Sequence, residues 1–224
     1  MEIKVKSGNE PLGGKGVVNA YFRWALMAAE EVAGKQGLGI VMRENGLERF
    51  IDNYPAEDFS ISAGVLQREY TALCTGLLIF FGRAGRGSLI RIGRRSARLT
   101  IEKQMETMGI GPLLAAARLL PSGMKMKAGL ETNVIALKKI YKDVAGIDWH
   151  GHIEDRGDKM AYVVEDCPMC IDHEADAAIC TVWTGTLAEI IQWFMEKEYE
   201  VQEVECRAQG AKACVWEISK TPKA

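Results

Sequence analysis

The segment Glu203–Cys214, EVECRAQGAKAC, decides how the chain ends. It joins two β-forming runs, Tyr199–Cys206 and Ala213–Ile218, through a short connection that is typical of a tight turn. The segment therefore predicts a β-hairpin. It also holds two of the six cysteines of the chain, with acidic residues beside the first of them.

A second hairpin and several helices are predicted before this segment. Residues 147–166 turn toward β-forming residues around Arg156-Gly157-Asp158, and apolar residues recur at helical spacing from Thr181 to Lys197. Further helices are predicted at Val17–Val32, 40–55, Ala63–Phe81 and in two pieces of 111–140 broken at Pro121–Gly123. Strands joined by tight turns are antiparallel, so the predicted class is α+β, with helices packed on a small antiparallel sheet.

Length and composition predict one large domain. The chain has 224 residues, of which 48% are hydrophobic, and its net charge is −2. We expect an N-terminal extension at 1–16 and a single domain at 17–220, whose last part, 147–220, is the hairpin, helix and hairpin. The weak net charge argues against nucleic acid as a direct partner. No stretch reads as a signal peptide or a membrane span, so we expect a cytoplasmic protein.

The cysteines predict a metal site or redox chemistry rather than disulfides, because a cytoplasmic protein keeps its thiols reduced. Cys74 lies in an apolar run and is predicted to pack in the core, whereas the other five lie between Cys167 and Cys214. Zinc in a structural site takes four ligands, chiefly thiolates. Two ligand sets have suitable residues: a local set of Cys167, Cys170, His173 and Cys180, and a distributed set of Cys180, Glu203, Cys206 and Cys214. Spacing alone leaves both open.

The run from Cys180 through TVWTG, followed by EVEC and Cys214, resembles the C-terminal signature of the 4-vinyl-reductase-type, or hydrocarbon-binding, domain family. The similarity continues upstream through GLERFIDNYP, RGSLIRIGR, LLP and DCPMC, from about Tyr21 onward. The family includes a bacteriochlorophyll-biosynthesis protein and the phenol-sensing domains of transcription activators. The resemblance also implies a fold shared with transport-particle (TRAPP) subunits.

This resemblance implies a structural Zn²⁺ bound by the distributed set, Cys180, Glu203, Cys206 and Cys214. The metal would hold the final hairpin to the start of the helix at Thr181. On a regular strand Glu203 and Cys206 would point to opposite faces, so the assignment predicts a bulge near Val204.

Other candidate residues follow from the remaining motifs. Cys167 and Cys170 form a CPMC pair that suits redox chemistry or, with His173, an alternative metal site. The acidic residues around this pair favour protonated thiols and so work against redox chemistry. By rough location on the first hairpin, Trp149, His150 and Tyr162 are candidates for ligand binding.

The function expected from these features is binding of a small apolar, aromatic or tetrapyrrole-like molecule by a ligand sensor or carrier. One alternative is a vinyl reductase or accessory protein of (bacterio)chlorophyll biosynthesis; the chain shows no nucleotide or flavin fingerprint, so catalysis is less favoured. A second alternative is a dimeric interaction or adaptor protein. We expect a homodimer, paired through Phe22, Trp24 and Leu26 of the first helix.

Overall fold

The computed structural model describes residues 2–6, 8, 10–108 and 120–223. Its helices are α1 (Asn19–Glu44), α2 (Gln67–Phe81), α3 (Arg86–Met108), α4 (Ser122–Ala145) and α5 (Thr181–Met195). Its strands are β1 (Ile3–Val5), β2 (Gly151–Asp155), β3 (Lys159–Val164), β4 (His173–Ala175), β5 (Tyr199–Glu205) and β6 (Cys214–Pro222). The predicted α+β class is confirmed. Among the described helices none alone is long and apolar enough to cross a bilayer, although the bent pair 67–81 and 83–103 passes on length and composition.

The main sheet has four antiparallel strands in the order β2-β3-β6-β5. Both predicted hairpins are confirmed, and β6 joins them by pairing with β3 as well as with β5. The pairing of β5 with β6 shifts register between Glu203 and Glu205, which is the predicted bulge. A separate antiparallel pair forms between β1 and β4. That pair was not predicted, because strands of three residues are too short to show a period of two.

The predicted end of the first helix at 35–39 is wrong. The helix α1 continues to Glu44 across a kink at Gly34, whose φ of 72° and ψ of 159° are not helical. Glycine adopts this positive φ without a steric penalty, so one residue bends the helix and the next turn resumes it. The short helix predicted at 40–55 is therefore the second half of α1, followed by a 3-10 helix at Glu48–Phe50.

The other helical boundaries agree more closely with the sequence. The helix α2 begins at Gln67, four residues after the predicted start at Ala63, and α4 begins directly after Pro121. The helix predicted just before Pro121 lies in 109–119, outside the described residues.

The first helix cannot pair two copies through the predicted face. Phe22, Trp24 and Leu26 are buried in the core of the same chain, and the Trp24 indole N–H donates to the Glu57 carboxylate at 2.8 Å. The prediction is wrong because apolar residues fall all around α1, and the chain covers more than one side of it. The homodimer itself stays a prediction without this face.

Helices α3 and α5 cross with their backbones in contact. A Cβ atom at Gly93 would lie 1.9 Å from the Val182 carbonyl oxygen, and one at Gly185 would lie 2.2 Å from the Ile90 carbonyl oxygen. Only glycine fits at either position, since a neighbouring backbone cannot move aside as a flexible side chain does.

Ion pairs border this crossing. Arg94 and Arg98 of α3 lie 3.4 Å and 2.6 Å from the buried Glu189 carboxylate of α5. Arg94 also pairs with Glu198 at 2.5 Å. These arginines therefore contact acidic residues of their own chain, and they fix the rotation of α5 about its axis.

We expect Gly93→Ala and Gly185→Ala each to lower the free energy of unfolding by about 3 kcal/mol, because the added methyl group forces two backbones apart. Urea denaturation would measure the change. Gly87→Ala, on the same helix α3 but with no atom within 4 Å of the new Cβ, is the matched control. It should leave stability unchanged or raise it by up to about 1 kcal/mol. Equal stability of Gly93→Ala and Gly87→Ala would contradict the close crossing.

Candidate metal centre and ligand cavity

Five cysteines and one glutamate converge where three segments meet. Cys167 and Cys170 lie in the loop between β3 and β4, Cys180 immediately precedes α5, and the last hairpin carries the remaining ligand candidates, Glu203, Cys206 and Cys214. All five thiols are at most 1% exposed, and Glu203 is 6% exposed. The site is therefore closed to solvent.

The sulfur atoms are spaced as tetrahedral metal ligands are. The Cys180 sulfur lies 3.7 Å from that of Cys167 and 3.8 Å from those of Cys206 and Cys214, and the Cys170 and Cys214 sulfurs are 3.5 Å apart. Zinc–sulfur bonds of about 2.3 Å in a tetrahedron give sulfur–sulfur separations of about 3.8 Å. A tetrahedral ion therefore fits between these atoms without rearrangement of the chain.

Two groups of four ligand atoms each lie within 4.8 Å of one another. One group is the distributed set, Cys180, Glu203, Cys206 and Cys214; the other is Cys167, Cys170, Cys180 and Cys214. Cys180 and Cys214 belong to both. Four buried cysteines thus lie close enough together to hold a metal ion.

His173 belongs to neither group, unlike in the local set considered from the sequence. It lies on β4, and its Nδ1 atom is 2.5 Å from the Ile171 carbonyl oxygen. Cys214 takes the place that the sequence offered to the histidine. No spacing rule could show this, because Cys214 and Cys170 are distant in the chain and β6 brings them together.

Glu203 is buried without a full set of partners. One carboxylate oxygen accepts the Cys180 backbone N–H at 3.1 Å, and the other has no hydrogen-bond partner. Burial, together with the neighbouring Cys206, raises the pKa of Glu203 to about 9. Burial likewise raises the pKa of Cys167 to about 12. A divalent cation between these groups would reverse both effects by favouring the ionised forms, so the donors fit a thiophilic ion such as Zn²⁺.

The N-terminal segment is tied to this centre through Glu10. Its carboxylate pairs with Arg207 at 2.8 Å and accepts the Asp172 backbone N–H at 3.0 Å, while the Glu10 backbone N–H donates to Asp172 at 3.0 Å. Asp172 follows the cysteine loop, and Arg207 follows Cys206. Residues predicted as a plain extension therefore brace two of the segments that carry cysteines.

An apolar cavity of about 160 Å³ lies among helices α2 to α5. Its wall contains Tyr70, Tyr141, Trp183, Trp193 and Phe194, with Gln67, Asn133, Ser96, Thr100, Thr132 and Thr186 as polar members. No charged side chain is among the described residues that line it. Two buried polar atoms of the wall, the Gln67 amide oxygen and the Trp183 indole N–H, have no hydrogen-bond partner.

The three residues predicted to bind a ligand do not line this cavity. Trp149 stacks on Tyr141 at 6.0 Å between ring centroids, and the Tyr162 hydroxyl donates to Asn133 at 2.8 Å, so both lie behind the wall. His150 is exposed and pairs with Asp166 at 2.5 Å. The sequence analysis missed Gln67 and Asn133, which a polar residue among apolar neighbours on a helix could have indicated.

The metal centre and the cavity share one loop, Cys167–Cys170, which we call the CPMC loop. Met169 lines the cavity, whereas Cys167 and Cys170 on either side of it belong to the metal centre. The Thr71 hydroxyl of α2 donates to the Pro168 carbonyl at 2.7 Å. Gln67 lies one turn earlier on the same helix, so α2 and the loop form one continuous wall.

Comparisons with known proteins agree with the resemblance in the C-terminal part of the chain. Residues 160–220 match the model of the 4-vinyl-reductase domain family. This range contains β3, the CPMC loop, α5 and the last hairpin, and the match supports the 4-vinyl-reductase-type family there. Among curated proteins, none matches this chain.

Several solved structures share the fold. A mutant H-NOX of T. tengcongensis is similar with a TM-score of 0.56 and 14% identity, over 93% of this chain and 100% of that one. An H-NOX protein from S. oneidensis in the Fe(II)NO ligation state has a TM-score of 0.52 and 10% identity, over 90% and 99%. An oxygen-binding H-NOX domain related to soluble guanylate cyclases has a TM-score of 0.51 and 14% identity, over 92% and 96%. At such identities the similarity concerns the fold alone.

We expect Thr71→Val to lower the free energy of unfolding by about 1–3 kcal/mol, because it leaves the buried Pro168 carbonyl without its donor. Thr75→Val is the matched control, since the Thr75 hydroxyl donates only to carbonyls of its own helix. The control should cost less than about 1 kcal/mol. Urea denaturation gives both values, and hydrogen exchange should rise in the CPMC loop of Thr71→Val alone. Equal effects of the two substitutions would argue against this contact.

Proposed function

We propose that this protein is a binding module for a small, uncharged and largely apolar molecule, which it holds in the cavity among α2 to α5 as a sensor or carrier. The observation that carries the proposal is a cavity of mostly apolar wall with unpartnered buried polar atoms in it. Such a combination is typical of ligand sites, where apolar surface supplies affinity and a few polar groups supply orientation. The match to the 4-vinyl-reductase domain family supports the same reading.

The size of the cavity favours a ligand of about one ring. A cavity of about 150 Å³ lined by apolar side chains is known to hold benzene. The volume here is about 160 Å³. A tetrapyrrole is several times larger and would require the helices to separate, so the cavity supports an aromatic or short aliphatic ligand better than a chlorophyll precursor.

The unpartnered atoms favour a ligand that carries a hydroxyl group. The Gln67 amide oxygen needs a donor and the Trp183 indole N–H needs an acceptor. A hydroxyl group can be both, and each buried polar atom left unsatisfied costs about 1–3 kcal/mol. The absence of charged residues among the described wall residues argues against a charged ligand.

Haem is the group that another similar structure, on haem distortion in the H-NOX family, concerns, and the residues here do not favour it. None of the three histidines, His150, His152 and His173, is among the cavity wall residues. His150 and His152 lie on the surface near acidic residues, and His173 lies on β4. A haem held by a histidine would therefore lack its axial ligand.

The metal centre has a structural role in this proposal. A Zn²⁺ ion bound by Cys180, Glu203, Cys206 and Cys214 has four protein ligands and no open position for substrate. It would fasten the last hairpin to the start of α5, whose residues form one wall of the cavity. A redox role of Cys167 and Cys170 is less favoured, because both thiols are buried away from any substrate.

For the ligand site, we expect phenol to bind about tenfold more tightly than toluene, since only phenol can satisfy Gln67 and Trp183. Chemical-shift titration of the full chain would measure both affinities. Gln67→Leu should reduce the preference, whereas Gln36→Leu, at an exposed position of α1, should keep it. Failure of both compounds to shift signals of the cavity residues would contradict the proposed site.

For the metal, we expect the purified protein to carry Zn²⁺, and Cys180→Ser and Cys214→Ser each to lose metal because these residues belong to both groups. Native mass spectrometry reports the metal content, and thermal unfolding should move to lower temperature in both variants. The matched control is Cys74→Ser, a buried thiol outside the two groups, which should keep the metal. A metal-free wild-type protein would refute the structural role.

A further inference from the structure

We infer that the six buried donors hold two metal ions rather than one, bridged by the thiolates of Cys180 and Cys214. The inference rests on the proposed metal centre and concerns the number of ions that it holds. Its basis is that the two groups of ligand atoms overlap in these two residues and in no others.

The shared residues have the geometry of a bridge. The Cys180 and Cys214 sulfurs are 3.8 Å apart, which is the length of a tetrahedral edge. Two tetrahedra that share one edge need two bridging and four terminal donors. Cys167 and Cys170 would complete one ion, and Glu203 and Cys206 would complete the other. The two groups thus offer a full ligand set for both ions, with no donor of either group left over.

A single ion would leave two of these donors unsatisfied. An ion held by Cys167, Cys170, Cys180 and Cys214 leaves the buried Glu203 carboxylate with one oxygen that has no partner. An ion held by the distributed set leaves Cys167 and Cys170 facing the thiolates of Cys180 and Cys214 at 3.7 Å and 3.5 Å. Buried polar groups without partners are costly, so occupancy of both positions satisfies the site best.

The charges of the site also suit two ions. Five thiolates and one carboxylate carry six negative charges, and two divalent ions neutralise four of them. The remaining charge is the same as that of a single ion with four thiolates, a common structural zinc site. Backbone donors offset part of it, because the Arg207 N–H points to the Cys214 sulfur at 3.3 Å and the Cys180 N–H to Glu203 at 3.1 Å.

The second ion would have a defined effect on the ligand cavity. Its terminal ligands, Cys167 and Cys170, flank Met169, which lines the cavity. Binding of that ion therefore fixes the CPMC loop and with it one side of the cavity. The ion held by Glu203 and Cys206 would instead fix the last hairpin.

The test is a count of ions per chain on the full-length protein, loaded with Zn²⁺ for native mass spectrometry and with ¹¹³Cd²⁺ for NMR. We expect two ions per chain and two cadmium resonances. The double variant Cys167→Ser/Cys170→Ser should keep one ion, at the distributed set. The double variant Glu203→Gln/Cys206→Ser should also keep one ion, at the other position. Cys74→Ser, the matched control, should keep two.

The wild-type count separates this inference from the proposed function. One ion per chain in the wild type, with a single cadmium resonance, overturns the two-ion centre and leaves a structural metal in place. No bound ion overturns both. Because the wild-type protein decides between these outcomes, failure of a double variant to fold does not remove the test.

Discussion

The convergence of thiols on Cys180 is the constraint on which the C-terminal half of the protein depends. Its sulfur lies within 3.8 Å of three others, which come from the CPMC loop and from both ends of the turn in the last hairpin. Cys180 also stands at the start of α5, so whatever holds these sulfurs together positions that helix. Without a cation or protons, so many buried thiolates would repel one another, and the fold therefore depends on the chemical state of the centre.

The helix α5 carries this constraint into the rest of the molecule. At Gly185 it meets the backbone of α3, and at Glu189 it pairs with Arg94 and Arg98 of the same helix α3. Trp183 and Phe194 on α5 line the cavity. The metal centre, the helix crossing and the cavity thus share one rigid element, and the CPMC loop connects them a second time through Met169. A change at either site has a short mechanical path to the other.

The similarity to H-NOX structures shows how one architecture can carry different sites. The fold matches over more than nine-tenths of the chain at 14% identity, yet the histidines of this chain lie away from the cavity. The residues that distinguish this protein are the cysteines of its last third and the polar atoms of Gln67 and Trp183. Function in such a case follows from the site rather than from the fold.

The sequence by itself determined the α+β class, both hairpins, the helix α5 and the bulge near Val204, because each depends on residues close together in the chain. It also placed the cysteines as a group, and the resemblance chose Cys180, Glu203, Cys206 and Cys214 as metal ligands. The tertiary structure alone decided that Cys170 lies beside Cys214, that β1 pairs with β4, and that Gln67, Asn133 and Trp183 share one cavity. These are contacts between residues far apart in the chain, and local periodicity contains no information on which distant segments meet.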